Sequence, residues 1–152
     1  MNTRTLPSTD ELAVFAGELL AGLSPRSDGK ATVLALSGDL GAGKTAFVKA
    51  LAKHLGIEEH ITRRTFVIMK KYELPAPRTS QPASFFHLIH IDAYRMKDGH
   101  ELEVLGWNEL LNDPKNLIAL EWPELVKEIV PDDAIQVAFA HVDENTRSVS
   151  HL

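Results

Sequence analysis

Cysteine is absent from the 152 residues, which excludes disulfides and thiolate metal sites from the outset. Long apolar runs are also missing: none approaches the roughly 20 residues that a membrane-crossing helix needs. The opening stretch, Met1–Asp10, is polar and lacks the hydrophobic segment of a secretory signal, so a cytoplasmic location away from membranes is expected. Neither an internal repeat nor a low-complexity segment interrupts the chain. What is present is ordinary globular material, 44% hydrophobic and 24% charged, so a folded core is expected. The length suits one compact domain over residues 1–152 and leaves little room for a second.

The net charge of −5 is unevenly spread. From Lys44 to Arg78 there are eight basic and three acidic residues, whereas from Thr79 to the end there are five basic and thirteen acidic. The basic middle is the place to look for an anionic ligand or partner. The competing reading is a set of solvated helix and strand faces.

Strand-like and helical patterns alternate along the chain. Ser8 and Glu11 have capping-box spacing, and Leu12, Phe15, Ala16, Leu19, Leu20 and Leu23 then form one apolar helical face that ends before Pro25. A turn over Ser24–Lys30 leads to Ala31–Leu36, an almost wholly apolar run typical of a strand buried on both faces. The glycine-rich loop Ser37–Gly43 opens a helix over Lys44–Leu55, for which Gly56 is a natural C-terminal cap. Thr65–Leu74 is strand-like, Pro75–Ser84 is a surface connection with three prolines, and Phe85–Ile91 is a second buried strand. The spacing predicts a helix over Gly99–Leu111, a third buried strand over Leu117–Leu120, and a short helix over Glu124–Val130 opened by Pro123. Ile135–Val142 and Arg147–Leu152 read as a closing strand pair around the polar turn Asp143–Thr146. This alternation argues for an α/β sandwich with a largely parallel central sheet.

Gly38-Asp39-Leu40-Gly41-Ala42-Gly43-Lys44-Thr45 matches G-x-x-x-x-G-K-S/T, the phosphate-binding P-loop. Glycines allow the backbone to turn so that several N–H groups converge on phosphate oxygens. The free N–H groups and positive dipole end of the following helix point at the same anion. Lys44 supplies a point charge for the β- and γ-phosphates, and the Thr45 hydroxyl suits Mg²⁺, a hard octahedral cation. At average residue usage the pattern arises by chance in roughly one in two hundred chains of this length. Its place between an apolar strand and a helix is the confirming context. A tight strand-to-helix turn with a surface lysine is the bland alternative.

Such a loop needs an acidic residue at the end of a neighbouring strand to hold Mg²⁺ or its waters. Asp92 follows Phe85–Ile91 and Glu121 follows Leu117–Leu120, so both carboxylates are candidates. Each can equally cap a helix or accept a loop hydrogen bond. His90-x-Asp92 places two potential metal ligands on one side of a strand with His87 on the other, too few for a transition-metal site without help. Arg95 can neutralise charge on a transferring phosphoryl group or pair with an acidic neighbour such as Asp92.

The series Gly38–Thr45, Thr65-Phe66, His90-Ile91-Asp92-Ala93-Tyr94-Arg95 and Glu121-Trp122-Pro123-Glu124 resembles the TsaE (YjeE) family over nearly the whole chain. The resemblance implies a compact P-loop ATPase with Mg²⁺ and ATP, weak intrinsic hydrolysis, and a part in threonylcarbamoyladenosine modification of tRNA. It implies TsaD-like and TsaB-like partners, with tRNA reached only through that complex; neither a membrane nor DNA is an expected partner. Carried over by motif, Gly38 through Ala46 cradle the nucleotide, Lys44 holds phosphates, and Thr45, Glu121 and Asp92 surround Mg²⁺. Asp92, Lys44 and Glu121 are the implied catalytic set. Thr65 would lie on a switch-like segment near the γ-phosphate, and Trp122 beside the nucleotide. One departure stands out: Arg63-Arg64 replaces the family's usual Ser-Pro before Thr65-Phe66. Losing the proline frees the backbone there, and the arginines add charge that can meet ATP, a partner or RNA.

Two other functions compete with a hydrolytic subunit. A small-molecule kinase would bring several arginines over the phosphates from a lid, yet after Ser84 only Arg95 and Arg147 are left and Pro75–Ser84 is short for a lid. A nucleotide-dependent binding module with little hydrolysis would not need both carboxylates.

Overall fold

A computed structural model describes residues 2–58, 68–75, 85–143 and 146–151. Within them, in chain order, run β1 (Asn2–Leu6), α1 (Thr9–Ala21), β2 (Thr32–Ser37), α2 (Lys44–His54), β3 (Met69–Glu73), β4 (His87–Asp92), α3 (Gly99–Val104), α4 (Trp107–Leu111), β5 (Asn116–Glu121), a 3-10 segment (Pro123–Ile129), β6 (Ile135–His141) and β7 (Arg147–His151). One sheet takes all seven strands in the order β1-β7-β6-β2-β5-β4-β3. Its centre is parallel, β6 with β2, β2 with β5 and β5 with β4, while β3, β7 and β1 join antiparallel at the flanks. The fold is therefore the expected α/β sandwich, including the closing strand pair.

The sheet's two faces follow from side-chain alternation along β2. Leu34 and Leu36 point toward α1 and α2, where they join Phe15, Phe47, Val48 and Leu51 in one core. Val33 and Ala35 point the other way, into a second core with Leu102, Trp107 and Val126. β5 is buried at every position, as an apolar strand covered on both faces must be. On the first face Phe47 is in tilted contact with both Phe15 and Phe139, which fixes α2 to the sheet beneath it.

Helix ends follow their local chemistry. Ser8 Oγ accepts the Glu11 N–H at 3.3 Å and starts α1. Beyond α2, Gly56 adopts φ +82°, with its N–H on the Lys53 carbonyl and the Ile57 N–H on the Ala52 carbonyl, the two bonds of a Schellman cap.

Three expectations change. The continuous helix over Gly99–Leu111 is two helices, because Gly106 at φ +96° leaves the helical region and restarts the chain as α4. The segment after Pro123 is a 3-10 stretch with a kink at Val126, whose φ of −130° and ψ of 29° are non-helical. β1 has no counterpart in the predicted elements: its residues are polar except Leu6, which is buried, and its partner is β7 at the far end of the chain. Of the predicted strand Thr65–Leu74, Met69–Glu73 is a strand, while Thr65 and Phe66, together with Arg63 and Arg64, lie outside the described residues, as does most of Pro75–Ser84. Among the described residues no helix is long and apolar enough to cross a membrane.

Candidate functional site

β2 is the central strand, and the loop after it emerges between β5 and β6 at the carboxyl ends of the parallel strands. This is where ligands lie in open α/β sheets. Three loop glycines have positive φ: Gly38 (137°), Gly41 (77°) and Gly43 (118°). Gly38 has a steric reason too, since a Cβ there would sit 2.5 Å from the Phe139 carbonyl oxygen on β6. The loop therefore lies flat against β6, and only glycine permits that approach.

The loop borders a cleft of about 170 Å³, lined by Leu40, Gly41, Gly43, Lys44, Thr45, Ala46, Glu121, Trp122 and Arg147. Lys44 is the first residue of α2 and is only 4% exposed. Its Nζ donates to the Gly38 carbonyl and lies 3.3 Å from the centroid of the Trp122 ring. Burying an ammonium group is costly unless its donors are matched, and the Gly38 carbonyl and the Trp122 face are among the partners this one has.

Thr45, one residue on, donates its hydroxyl to Glu121, with Oγ1 3.1 Å from Oε1 and 3.3 Å from Oε2. Glu121 ends β5 and is 3% exposed. His90 Nε2 lies 2.5 Å from its Oε2, so the buried carboxylate is held from two sides. The sheet explains the meeting. Leu88 and Leu117 face the α1–α2 core, so His90, Asp92 and Glu121 at even spacings share that face with Thr45. Asp92 is in register with Glu121 on the adjacent strand, and its Oδ1 accepts the Tyr94 N–H at 3.0 Å. It stands beside the cleft and is not in its lining. His87 turns instead to Asn116, with Nδ1 3.0 Å from Oδ1.

Trp122 has φ 61° and ψ 50°, the sole non-glycine residue at positive φ among those described. Its N–H donates to the Leu36 carbonyl at 3.2 Å, and its ring is 5.1 Å from Tyr94. A left-handed conformation costs a bulky residue about 1–2 kcal/mol, sustained where surrounding contacts over-determine it. The Leu36 hydrogen bond and the Tyr94 contact are such constraints, and the indole lies over Lys44.

Of the predicted residues, Leu40, Gly41, Gly43, Lys44, Thr45, Ala46, Glu121 and Trp122 meet at this cleft. Gly38 supports it through its carbonyl, and Asp39 and Ala42 close the loop through a 3.0 Å backbone bond. Thr65 lies outside the described residues. Among the described residues, Arg147 rather than Arg95 lines the cleft. It arrives on β7, with its Cδ 3.0 Å from where a Cβ on Gly43 would be. No local motif announces it, because its place depends on strand order and register.

A larger cleft of about 550 Å³ lies at the opposite end of the strands, bordered by Arg26, Asp28, Ala31, Asn112 and Asp133 among others. Arg26 there bridges Asp28 and Asp133 and holds the Asp133 carboxyl below its usual range. This cleft lacks both the glycine loop and a helix N-terminus.

The family model described as Threonylcarbamoyl adenosine biosynthesis protein TsaE matches residues 6–149. A tRNA threonylcarbamoyladenosine biosynthesis protein TsaE from Rickettsia prowazekii is 35% identical over 147 residues, 96% of this chain and 91% of that protein. A protein of the same name from Bacillus subtilis is 35% identical over 118 residues, 78% of this chain and 67% of the other. The crystal structure of Bacillus subtilis YdiB matches the fold with a TM-score of 0.71 at 29% identity, covering 99% of this chain and 83% of that one.

Proposed function

The chain belongs to the TsaE family, and from that premise we propose that it is a Mg²⁺-dependent ATPase subunit serving the threonylcarbamoyladenosine modification of tRNA. On this reading it works in the cytoplasm with TsaD-like and TsaB-like proteins, touches tRNA only through them, and hydrolyses ATP slowly when alone. The observation that carries the reading is the meeting of Thr45 with Glu121 beside buried Lys44 at the mouth of the P-loop.

The donor set fits the cation. A hydroxyl and a carboxylate are hard oxygens of the kind Mg²⁺ accepts alongside phosphates and waters, and they already lie within hydrogen-bond distance of each other. Thr45 and Glu121 would hold it, and its charge, when bound, screens the phosphate oxygens.

The chain's own groups do the rest. Backbone N–H groups from Gly41 to Ala46 cradle the phosphates, and Lys44 leaves the Trp122 face to meet the β- and γ-oxygens. Asp92, next to Glu121 at the end of β4, orients the attacking water or the waters around the cation. Arg147 adds positive charge from the wall opposite Glu121, and Trp122 shields the reacting end. One carboxylate to hold the cation and a second beside it to orient water favour water over a second substrate as acceptor.

Capture by immobilised TsaD and TsaB proteins of the same organism, with and without ATP, tests the partnership. The expected result is ATP-dependent capture and faster hydrolysis in the mixture than for this protein alone. Failure to bind in either state, with hydrolysis unchanged, would remove the partnership and reopen the choice of function.

A further inference from the structure

We propose that His90 is a positioning residue for the cation site, fixing the Glu121 carboxylate through its Nε2–H so that magnesium-linked nucleotide binding depends on it. This rests on the reading of the cleft as a Mg²⁺–nucleotide site.

A carboxylate has only acceptors, so the 2.5 Å contact between His90 Nε2 and Glu121 Oε2 requires the hydrogen on Nε2. The imidazole is therefore a donor here. Thr45 has a single hydroxyl proton, which spans both oxygens of Glu121 at 3.1 and 3.3 Å. That shared bond alone leaves the carboxylate free to rock about its last torsion. The histidine removes the freedom by engaging Oε2 from the neighbouring strand, and Oε1 is left turned toward Thr45 at the cleft.

The sheet makes the histidine's position rigid. β4 pairs with β5 in parallel register from His87↔Asn116 to Asp92↔Glu121, and the His90 side chain is only 10% exposed. A cation site on two side chains gains most from such support, because a ligand that must be ordered at the moment of binding sacrifices affinity. Outer partners of metal ligands typically change metal affinity 10- to 100-fold.

Three proteins, each the full chain, decide the matter: the parent, His90→Gln and His90→Asn. The glutamine amide places its donor near the position of Nε2, whereas the asparagine amide falls short, near Nδ1. Calorimetry with a non-hydrolysable ATP analogue, in Mg²⁺ and in EDTA, gives the magnesium-linked gain in affinity for each. Thermal melts confirm that both variants are folded. The parent and His90→Gln should share most of the gain, His90→Asn should lose about tenfold of it, and all three should agree in EDTA. The assignment is overturned if the two variants keep the gain equally or lose it equally. A parent that binds the analogue no better with Mg²⁺ overturns the underlying reading of the cleft instead.

Discussion

Lys44 and Glu121 are each less than 5% exposed, and neither charge is tolerable there without partners. The protein supplies those partners from its own backbone and side chains, yet the supply for Lys44 includes an aromatic face, a weaker substitute for an anion. On the proposed reading of the cleft, Trp122 is an internal reporter of phosphate. ATP should draw Lys44 away from the indole and shift Trp122 emission. Clean detection needs Trp107→Phe, which costs about 1–3 kcal/mol because Trp107 is buried and its Nε1 donates to the Ile129 carbonyl at 3.1 Å. In that background the emission should respond to ATP, and adding Lys44→Ala should abolish the response together with binding. A silent Trp122 in the folded Trp107→Phe protein would remove it from the nucleotide site.

At the scale of elements, the break between α3 and α4 is the clearest case of backbone chemistry overriding periodicity. Leu102, Leu105, Leu110 and Leu111 read as one helical stripe, but the Leu105 and Gly106 N–H groups turn back on Leu102 and Glu103, and Gly106 then goes left-handed. Gly106→Ala should cost about 1–2 kcal/mol, lowering the melting temperature by roughly 2–8 °C. Nucleotide affinity should be unchanged, since this layer lies across the sheet from α2. An unaltered melting temperature would show that the break has another cause. The same contrast explains what was legible in the sequence. β2 and β5 announce themselves because both faces are buried, and the Gly38–Thr45 loop does so because its chemistry is local. β1 gives no such signal, as Thr3, Arg4 and Thr5 carry no apolar alternation and only pairing with β7 makes them a strand. Glu121 was legible as a strand-end carboxylate, whereas its hold by His90 and the approach of Arg147 depend on which strands become neighbours.

For the whole molecule, the strand order places the two ends of the described chain side by side. Leu6 is in register with Arg147, and Arg147 with His141, so the residue at the cleft is clamped on both sides. Removing residues 2–6 should expose the edge of β7, unbury the site of Leu6 and loosen Arg147. The expected outcome is a lower melting temperature, a greater tendency to aggregate, and weaker nucleotide binding with the P-loop sequence intact. Full affinity after this deletion would show that Arg147 contributes nothing through its clamp.

The pairing of β1 with β7 also sets an order of events during folding. Thr3 and Ser150 share a 3.0 Å hydrogen bond across 147 positions, so β1 has no strand to join until β7 has been made. A nascent chain on the ribosome can form α2 early from local contacts. Its first strand must wait, unpaired, for the last. The cleft consequently gains its Arg147 wall in the closing step of assembly, and an incomplete chain carries a phosphate loop without a finished site.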